Sequence, residues 1–206
     1  MTGHDTTAST ISWAYYFLYH HPEELSRLRT ELDAVFGPNT SPSDIAKQIT
    51  ADPKLHTKLD FTLAVIKESL RMEPPAAPAR QPPENTHYTF KTTSGTTHYV
   101  PPKSMVYTSA WMLHRNKDVW GDDADEFKPD RFMPGRKQPW GYLAFSKRPR
   151  DCIGSTLAYL EAKLILALTA RMFDFEPTIT YHRVLKGTQK PCFDAPMKVK
   201  LSNYQG

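Results

Sequence analysis

Cysteine is scarce in this 206-residue chain, which has only Cys152 and Cys192. Two such residues exclude a disulfide-stapled scaffold. Glycine is also scarce, with 9 residues, about 4% against a usual level of about 7%. No sign of charge dominates: 26 Lys+Arg oppose 22 Asp+Glu, for a net charge of +4. That excess is too small to argue for a nucleic-acid partner. No unbroken apolar run is long enough to encode a membrane span. Residues 1–20 lack the basic start, apolar core and small-residue cleavage site of a secretory signal. What is present, 39% hydrophobic and 23% charged residues, fits a chain able to bury one sizeable core.

Proline is abundant, with 18 residues, about 9% against a usual 5%. Most fall between Pro74 and Pro149, and only Pro22, Pro38, Pro42 and Pro53 come earlier. This divides the chain into a helix-rich first third, a proline-punctuated middle and a mixed tail. There is no internal repeat or low-complexity tract, so residues 1–206 read as one unit.

Ile11, Ala14, Tyr15 and Leu18 share one helical face, which predicts a helix from about Asp5 to His21. Pro22 stops it and opens the next, where a missing N–H does no harm. Leu25, Leu28, Leu32, Val35 and Phe36 continue the pattern until Gly37-Pro38. Residues 39–58 predict short helices and a loop. A third helix is expected from Asp60 to Met72, carrying Glu68 and Arg71. Tyr88–Phe90 and His98–Val100, around Ser94-Gly95, predict a hairpin, and Met105–Tyr107 another short strand. Asp122 to Arg150 has aromatics (Phe127, Phe132, Trp140, Tyr142, Phe145) without period, which predicts an ordered, packed loop. A last helix follows Cys152, with Leu157, Leu160, Leu164 and Leu168 along one side. Thr178–Tyr181 and Met197–Leu201 read as strands.

Cys152 carries the most chemical information. Arg150 and Arg148 precede it and a helix start follows it, and both stabilise a thiolate, the form that ligates a metal or attacks an electrophile. The plainer reading is a buried cysteine acting as a small hydrophobe. Cys192, in Lys190-Pro191-Cys192-Phe193, has no such surroundings and reads as structural. Glu68 and Arg71 stand three apart on one helix and can pair. Such a pair is ordinarily a solvated bridge, yet its flanks are apolar, and Arg131 could make it a buried network. Asp5-Thr6-Thr7 before an apolar-periodic run is an ordinary N-cap signal as well as a candidate catalytic segment.

Taken in order, these segments resemble the cytochrome P-450 family of haem-thiolate monooxygenases, most of all its fungal members. Gly3-His4-Asp5-Thr6-Thr7 is similar to the oxygen-activation segment of the distal helix, and Glu68-Ser69-Leu70-Arg71 to the Glu-x-x-Arg helix. Trp120 through Phe132 is similar to the aromatic meander, and Phe145 to Gly154 to the cysteine-ligand loop. The resemblance implies a mainly α fold with small β-sheets, the C-terminal haem-binding half of the family fold. It implies haem b with Cys152 as axial thiolate and metal ligand, and Arg150, with Arg80, pairing its propionates. It implies Phe145 shielding the sulfur, Gly154 letting the last helix approach the porphyrin, and Asp5 and Thr6 relaying protons. Glu68, Arg71 and Arg131 would form a structural triad. The implied reaction inserts one oxygen atom of O2 into a small hydrophobic organic substrate, with electrons from NADPH through a reductase. That partner would dock on a basic face made by Arg136, Lys137, Lys147 and Arg148; the plainer reading of those charges is a solvated loop edge.

The sequence departs from the family in two ways. Arg148 stands where the pattern has Gly, and Ser146 where many members have another; a side chain at positive φ costs on the order of 1–2 kcal/mol. The match also begins within the distal helix and covers only the C-terminal half of a complete member. One expectation is therefore a truncated, inactive product or a haem-less interaction remnant, with apolar faces turned to water. Fungal members are anchored in the endoplasmic reticulum; this chain shows no anchor and is expected to be intracellular. A third reading, zinc held by Cys152, Cys192 and a His, lacks the usual ligand spacing.

Overall fold

The computed structural model describes residues 3–147, 149–178 and 197–205. Arg148 and Cys192 lie outside the described residues, as do Ile179, Thr180 and Tyr181 of one expected strand.

The elements run in this order: α1 (Gly3–His20), α2 (Pro22–Phe36), α3 (Pro42–Ala51), a 3-10 turn (Pro53–Lys58) and α4 (Asp60–Met72). The middle holds β1 (Ala79–Arg80), β2 (Tyr88–Lys91), β3 (Thr97–Val100), β4 (Val106–Tyr107), α5 (Ala110–Leu113), α6 (Lys117–Trp120) and a 3-10 turn at Pro129–Phe132. α7 (Ser155–Thr169), β5 (Phe173–Pro177) and β6 (Met197–Leu201) complete the chain. Among the described residues the strands pair antiparallel in twos: β1 with β4, β2 with β3, β5 with β6. The architecture is mainly α with small sheets, as the sequence predicts.

Local chemistry sets the helix ends. Pro22 occupies the first turn of α2, and Gly37 leaves it at φ +90°, a conformation that strains any residue with a Cβ. Ser41 caps α3 by accepting from the Asp44 amide at 3.2 Å. The start of α4 has no cap of its own; Glu31 of α2 supplies one. Its carboxylate accepts from the Phe61 and Thr62 amides at 2.6 and 2.8 Å, and from the Thr62 hydroxyl at 2.6 Å. A carboxylate on orphan N–H groups at a helix N-terminus gains from both hydrogen bonding and the helix dipole.

α1, α2, α4 and α7 enclose one core, with Trp13, Leu18, Leu28, Leu32, Ile66 and Leu166 fully buried. Each such side chain contributes about 1.5–3 kcal/mol of transfer free energy. A smaller cluster, Ala64, Trp120, Ala124, Phe132 and Tyr142, ties the long loop to the back of α4.

Two details differ from the sequence reading. On α7 the buried side is Ala162, Lys163, Leu166 and Ala167, while Leu157 is exposed and Leu160, Leu164 and Leu168 are only partly covered. The leucine stripe thus flanks the contact, because small alanines let α7 come close to its neighbours. Trp140 also differs: it is 70% exposed, whereas Phe127, Phe132 and Tyr142 are packed as expected.

Candidate functional site

The site is built on two supports. The first is α4, whose Glu68 and Arg71 are both fully buried. Arg71 grips Glu68 in a fork, Nε to Oε2 and Nη2 to Oε1, both at 2.7 Å. Its remaining N–H groups donate to three loop carbonyls: His114 at 2.7 Å, Ala124 at 2.6 Å and Glu126 at 2.8 Å. The Glu68 carboxylate also accepts the Lys128 amide at 2.8 Å. Arg131 Nε approaches Glu68 Oε1 at 3.5 Å, while its Nη2 donates to the Asp123 carbonyl at 2.6 Å. Glu68, Arg71 and Arg131 therefore meet in a buried network. Arg71 and Glu68 are fully paired and hydrogen-bonded, as a buried charge must be, whereas Arg131 Nε is buried with only the long charge contact to Glu68. Lys128 and Arg131 together hold the Asp123 carboxyl down at about 2.

The second support is the loop before α7. The Cys152 amide donates to the Phe145 carbonyl at 2.9 Å, and the Ser146 amide to the Leu143 carbonyl at 3.0 Å. Ser146 takes the left-handed conformation, φ +65°. The Phe145 ring stands edge-on to Tyr159 of α7, centroids 5.0 Å apart. The Tyr159 and Tyr142 hydroxyls meet at 3.2 Å. Burial pushes the Tyr159 phenol up to about 12, so it serves as a neutral donor.

Between the supports lies an open cleft of about 220 Å3. Its walls are Pro75, Ala76, Ala77 and Pro78, which follow α4, together with Leu143, Ala144, Phe145 and Ser146 of the loop. Thr6 of α1, Arg80 of β1, Arg150 and Cys152 complete the lining. Cys152 is exposed and carries a free thiol. Arg80 Nη2 reaches the Arg150 carbonyl at 3.5 Å. Thr6 donates its hydroxyl to the Gly3 carbonyl at 3.1 Å.

The structure thus brings Thr6, Arg80, Phe145, Arg150 and Cys152 to one cleft, although long stretches of sequence separate them. Asp5 and Gly154 do not line it. Asp5 is exposed, with its carboxylate 3.4 Å from His4 Nε2. Gly154 precedes α7 at φ −85°, and a Cβ there would sit 3.8 Å from Cys152 Sγ, an ordinary contact. Arg136, Lys137 and Lys147 are exposed. Lys147 Nζ donates to the Trp140 carbonyl. Arg136 and Lys137 line a cavity with Asp123 and Asp130, which offset part of their charge.

Sequence reasoning missed His114 and Gly141. His114 is fully buried, with Nδ1 2.9 Å from the Arg71 carbonyl and Nε2 accepting the Leu143 amide at 2.8 Å. A Cβ on Gly141 would fall 2.7 Å from Val119 Cγ1, so the loop passes α6 at glycine distance. Both residues sit in aperiodic sequence, where their long-range partners leave no local signal.

The family model described as Cytochrome P450 matches residues 1–189. The chain is 34% identical over 195 residues to cytochrome P450 monooxygenase polC of Polytolypa hystricis, covering 91% of this chain and 34% of that protein. It is 34% identical over 201 residues to cytochrome P450 monooxygenase acrF of Aspergillus aculeatus, covering 88% of this chain and 40% of that protein. A putative cytochrome P450 of Caenorhabditis elegans, CYP13A1, is 36% identical over 180 residues, covering 85% and 32%. The chain therefore spans between about a third and two fifths of the length of these curated relatives. Among the described residues no helix is long and apolar enough to cross a membrane. With its buried Glu68–Arg71–Arg131 network and exposed cysteine loop, this chain belongs to the cytochrome P450 family.

Proposed function

We propose that residues 1–206 are a single unit carrying the cysteine-ligand side of a haem-thiolate monooxygenase. The protein it serves would insert one oxygen atom of O2 into a small hydrophobic organic substrate, with electrons from NADPH through a reductase. The observation that carries this is the shared cleft: the Cys152 thiol opens into a slot with apolar walls and two arginines on its lining.

Those residues suit haem b. Sulfur is a soft donor for iron. The Pro75–Pro78 segment and Leu143-Ala144 offer a dry wall to a flat apolar ring. Arg80 and Arg150 are positioned on the same cleft to pair with carboxylates, and an arginine fork matches a carboxylate bidentately. When bound, iron ligated by a thiolate supplies the cleavage of the O–O bond.

This chain's own residues do the remaining work. Cys152 would hold the iron through its sulfur, the thiol proton passing to solvent at the open cleft. Phe145, held by the Cys152 amide and by Tyr159, would shield the otherwise exposed sulfur once haem closes the cleft. Thr6 lines the cleft from α1, and with Asp5, which stands outside the cleft one residue earlier, it would relay protons through water as a general acid. Gly154, directly before α7, would let that helix approach the porphyrin. The Glu68–Arg71–Arg131 network holds the meander, and through it the loop. Arg136, Lys137 and Lys147, with Arg148 beside them in sequence, offer positive charge to an acidic electron donor.

The test is spectroscopic. The chain is expressed with haem supplied, reduced and exposed to carbon monoxide. A thiolate-type shift of the Soret band is expected. A colourless protein, or a band without that shift, overturns the reading in favour of a haem-less remnant.

A further inference from the structure

We propose that His114 is a positioning residue for the cysteine loop: a neutral imidazole that hooks the loop's beginning to the Arg71 helix. For its bearing on the sulfur, this inference rests on the haem-thiolate reading above.

The argument is geometric. The Arg71 carbonyl, 2.9 Å from His114 Nδ1, can only accept, so Nδ1 carries the proton. The Leu143 amide, 2.8 Å from Nε2, can only donate, so Nε2 is bare. Two backbone groups thus dictate one tautomer, and a doubly protonated ring would set N–H against N–H at Leu143. The ring lies over Tyr142, centroids 5.5 Å apart and 16° from parallel. The His114 carbonyl accepts from Arg71 Nη1 at 2.7 Å. His114 and Arg71 therefore clasp each other twice, and the free imidazole nitrogen is spent on Leu143, just before Phe145.

Burial keeps the ring neutral, and the charge around it adds to the effect. Arg71 of α4 bonds its carbonyl, and Arg115 follows in the chain, paired with Glu73 at 3.1 Å. Glu68 lies behind Arg71, fully engaged by it. Tyr142 and Trp120 provide the rest of the wall. Burial first, and these two arginines after it, hold the imidazole down to about 4.

Gly141 completes the hook. A Cβ on Gly141 would fall 2.7 Å from Val119 Cγ1, so the backbone two residues before Leu143 runs close against the Val119 side chain of α6. The loop thus leaves the packed interior at a fixed point, and from there Phe145, Ser146 and Cys152 turn toward the cleft.

The test uses the whole 206-residue chain and two substitutions that split the imidazole. His114→Asn keeps a donor at the Nδ1 position and loses the acceptor for Leu143. His114→Gln places an amide oxygen near the Nε2 position. Native-state hydrogen exchange reads the Leu143 amide against the α4 amides Ser69 and Leu70. In His114→Asn the Leu143 amide should exchange roughly tenfold to a hundredfold faster, as for a lost buried hydrogen bond, with α4 unchanged. His114→Gln should recover most of that protection. Equal loss at Leu143 and α4, or no change at Leu143, overturns the proposal. A second measurement needs no variant: the imidazole nitrogen shifts of the wild-type chain should show a protonated Nδ1 and a bare Nε2. The opposite tautomer, or a charged ring at neutral pH, overturns it.

A haem arm separates the two readings. In haem-loaded His114→Asn, part of the thiolate-type carbon monoxide band should convert to a band without thiolate, and His114→Gln should reverse this. If Cys152→Ala leaves the haem spectrum unchanged while Leu143 still loosens selectively in His114→Asn, the haem reading fails and the hook stands. If the thiolate band is present and no His114 substitution moves either signal, the hook fails and the haem reading stands.

Discussion

The backbone of Cys152 donates to the carbonyl of Phe145 at 2.9 Å, so the sulfur is carried by a closed turn rather than a free tether. Ser146 pays for that closure with φ +65°. Ser146→Gly should relieve about 1 kcal/mol of backbone strain. For a chain of this size that raises Tm by about 2–4 °C. A thermal melt that falls instead would show that the serine side chain contributes more than its conformation costs.

Breaking the buried triad should cost far more. Glu68→Gln leaves the Arg71 charge buried without its partner, which is expected to destabilise by about 3–5 kcal/mol. Arg131→Lys should cost less than Glu68→Gln, because its contact to Glu68 is the long one, 3.5 Å, but it still gives up the donors to the Trp120 and Asp123 carbonyls. Denaturant unfolding of both variants checks the order, and a larger loss for Arg131→Lys would contradict it.

Glu31 makes a third prediction. Its carboxylate serves as the missing cap of α4. Glu31→Ala should cost about 1 kcal/mol, the usual worth of a cap. Hydrogen exchange should localise that loss to the first turn of α4; a loss spread evenly over the core would contradict the capping role.

Acid should act on the molecule in two windows. Burial depresses the folded-state value of His114 to about 4, below the usual 6.5 of a histidine. The unfolded state therefore binds the proton first, and stability falls as pH drops from about 6.5 to about 4, by at most about 1.4 kcal/mol per pH unit for one proton. Asp123, lowered to about 2 by Lys128 and then Arg131, contributes stability above the unfolded value of 3.8 that is lost as pH falls from there to about 2. Its partial exposure makes that second loss small. Stability measured against pH should lose the upper window in His114→Asn and the lower one in Asp123→Asn. An unchanged profile in either variant contradicts its assignment.

Much of the fold was legible because its signals are local. Helical periodicity, Pro22 and Gly37-Pro38 place α1 and α2, and Pro74-Pro75 marks the end of α4. The small strands were legible through β-branched and aromatic runs around Ser94-Gly95. The site was legible as separate residues: Glu68 with Arg71, Arg131 later in the chain, and Cys152 with its arginines. Their convergence was not, because Thr6 and Cys152 meet only through the packing of α1, α4 and α7. His114 was illegible for the same reason, since both of its ring nitrogens bond backbone groups, which carry no side-chain signature.

The central claim is that the sulfur of residue 152 bonds haem iron. The most direct measurement is resonance Raman of the ferric haem-loaded chain in a Cys192→Ser background, prepared with natural and with sulfur-34 cysteine. Only Cys152 then carries the label. The account predicts an iron–sulfur stretch that moves to lower frequency with the heavier isotope and is absent from Cys152→Ala. A spectrum indifferent to the isotope, in a sample that has taken up haem, would contradict it.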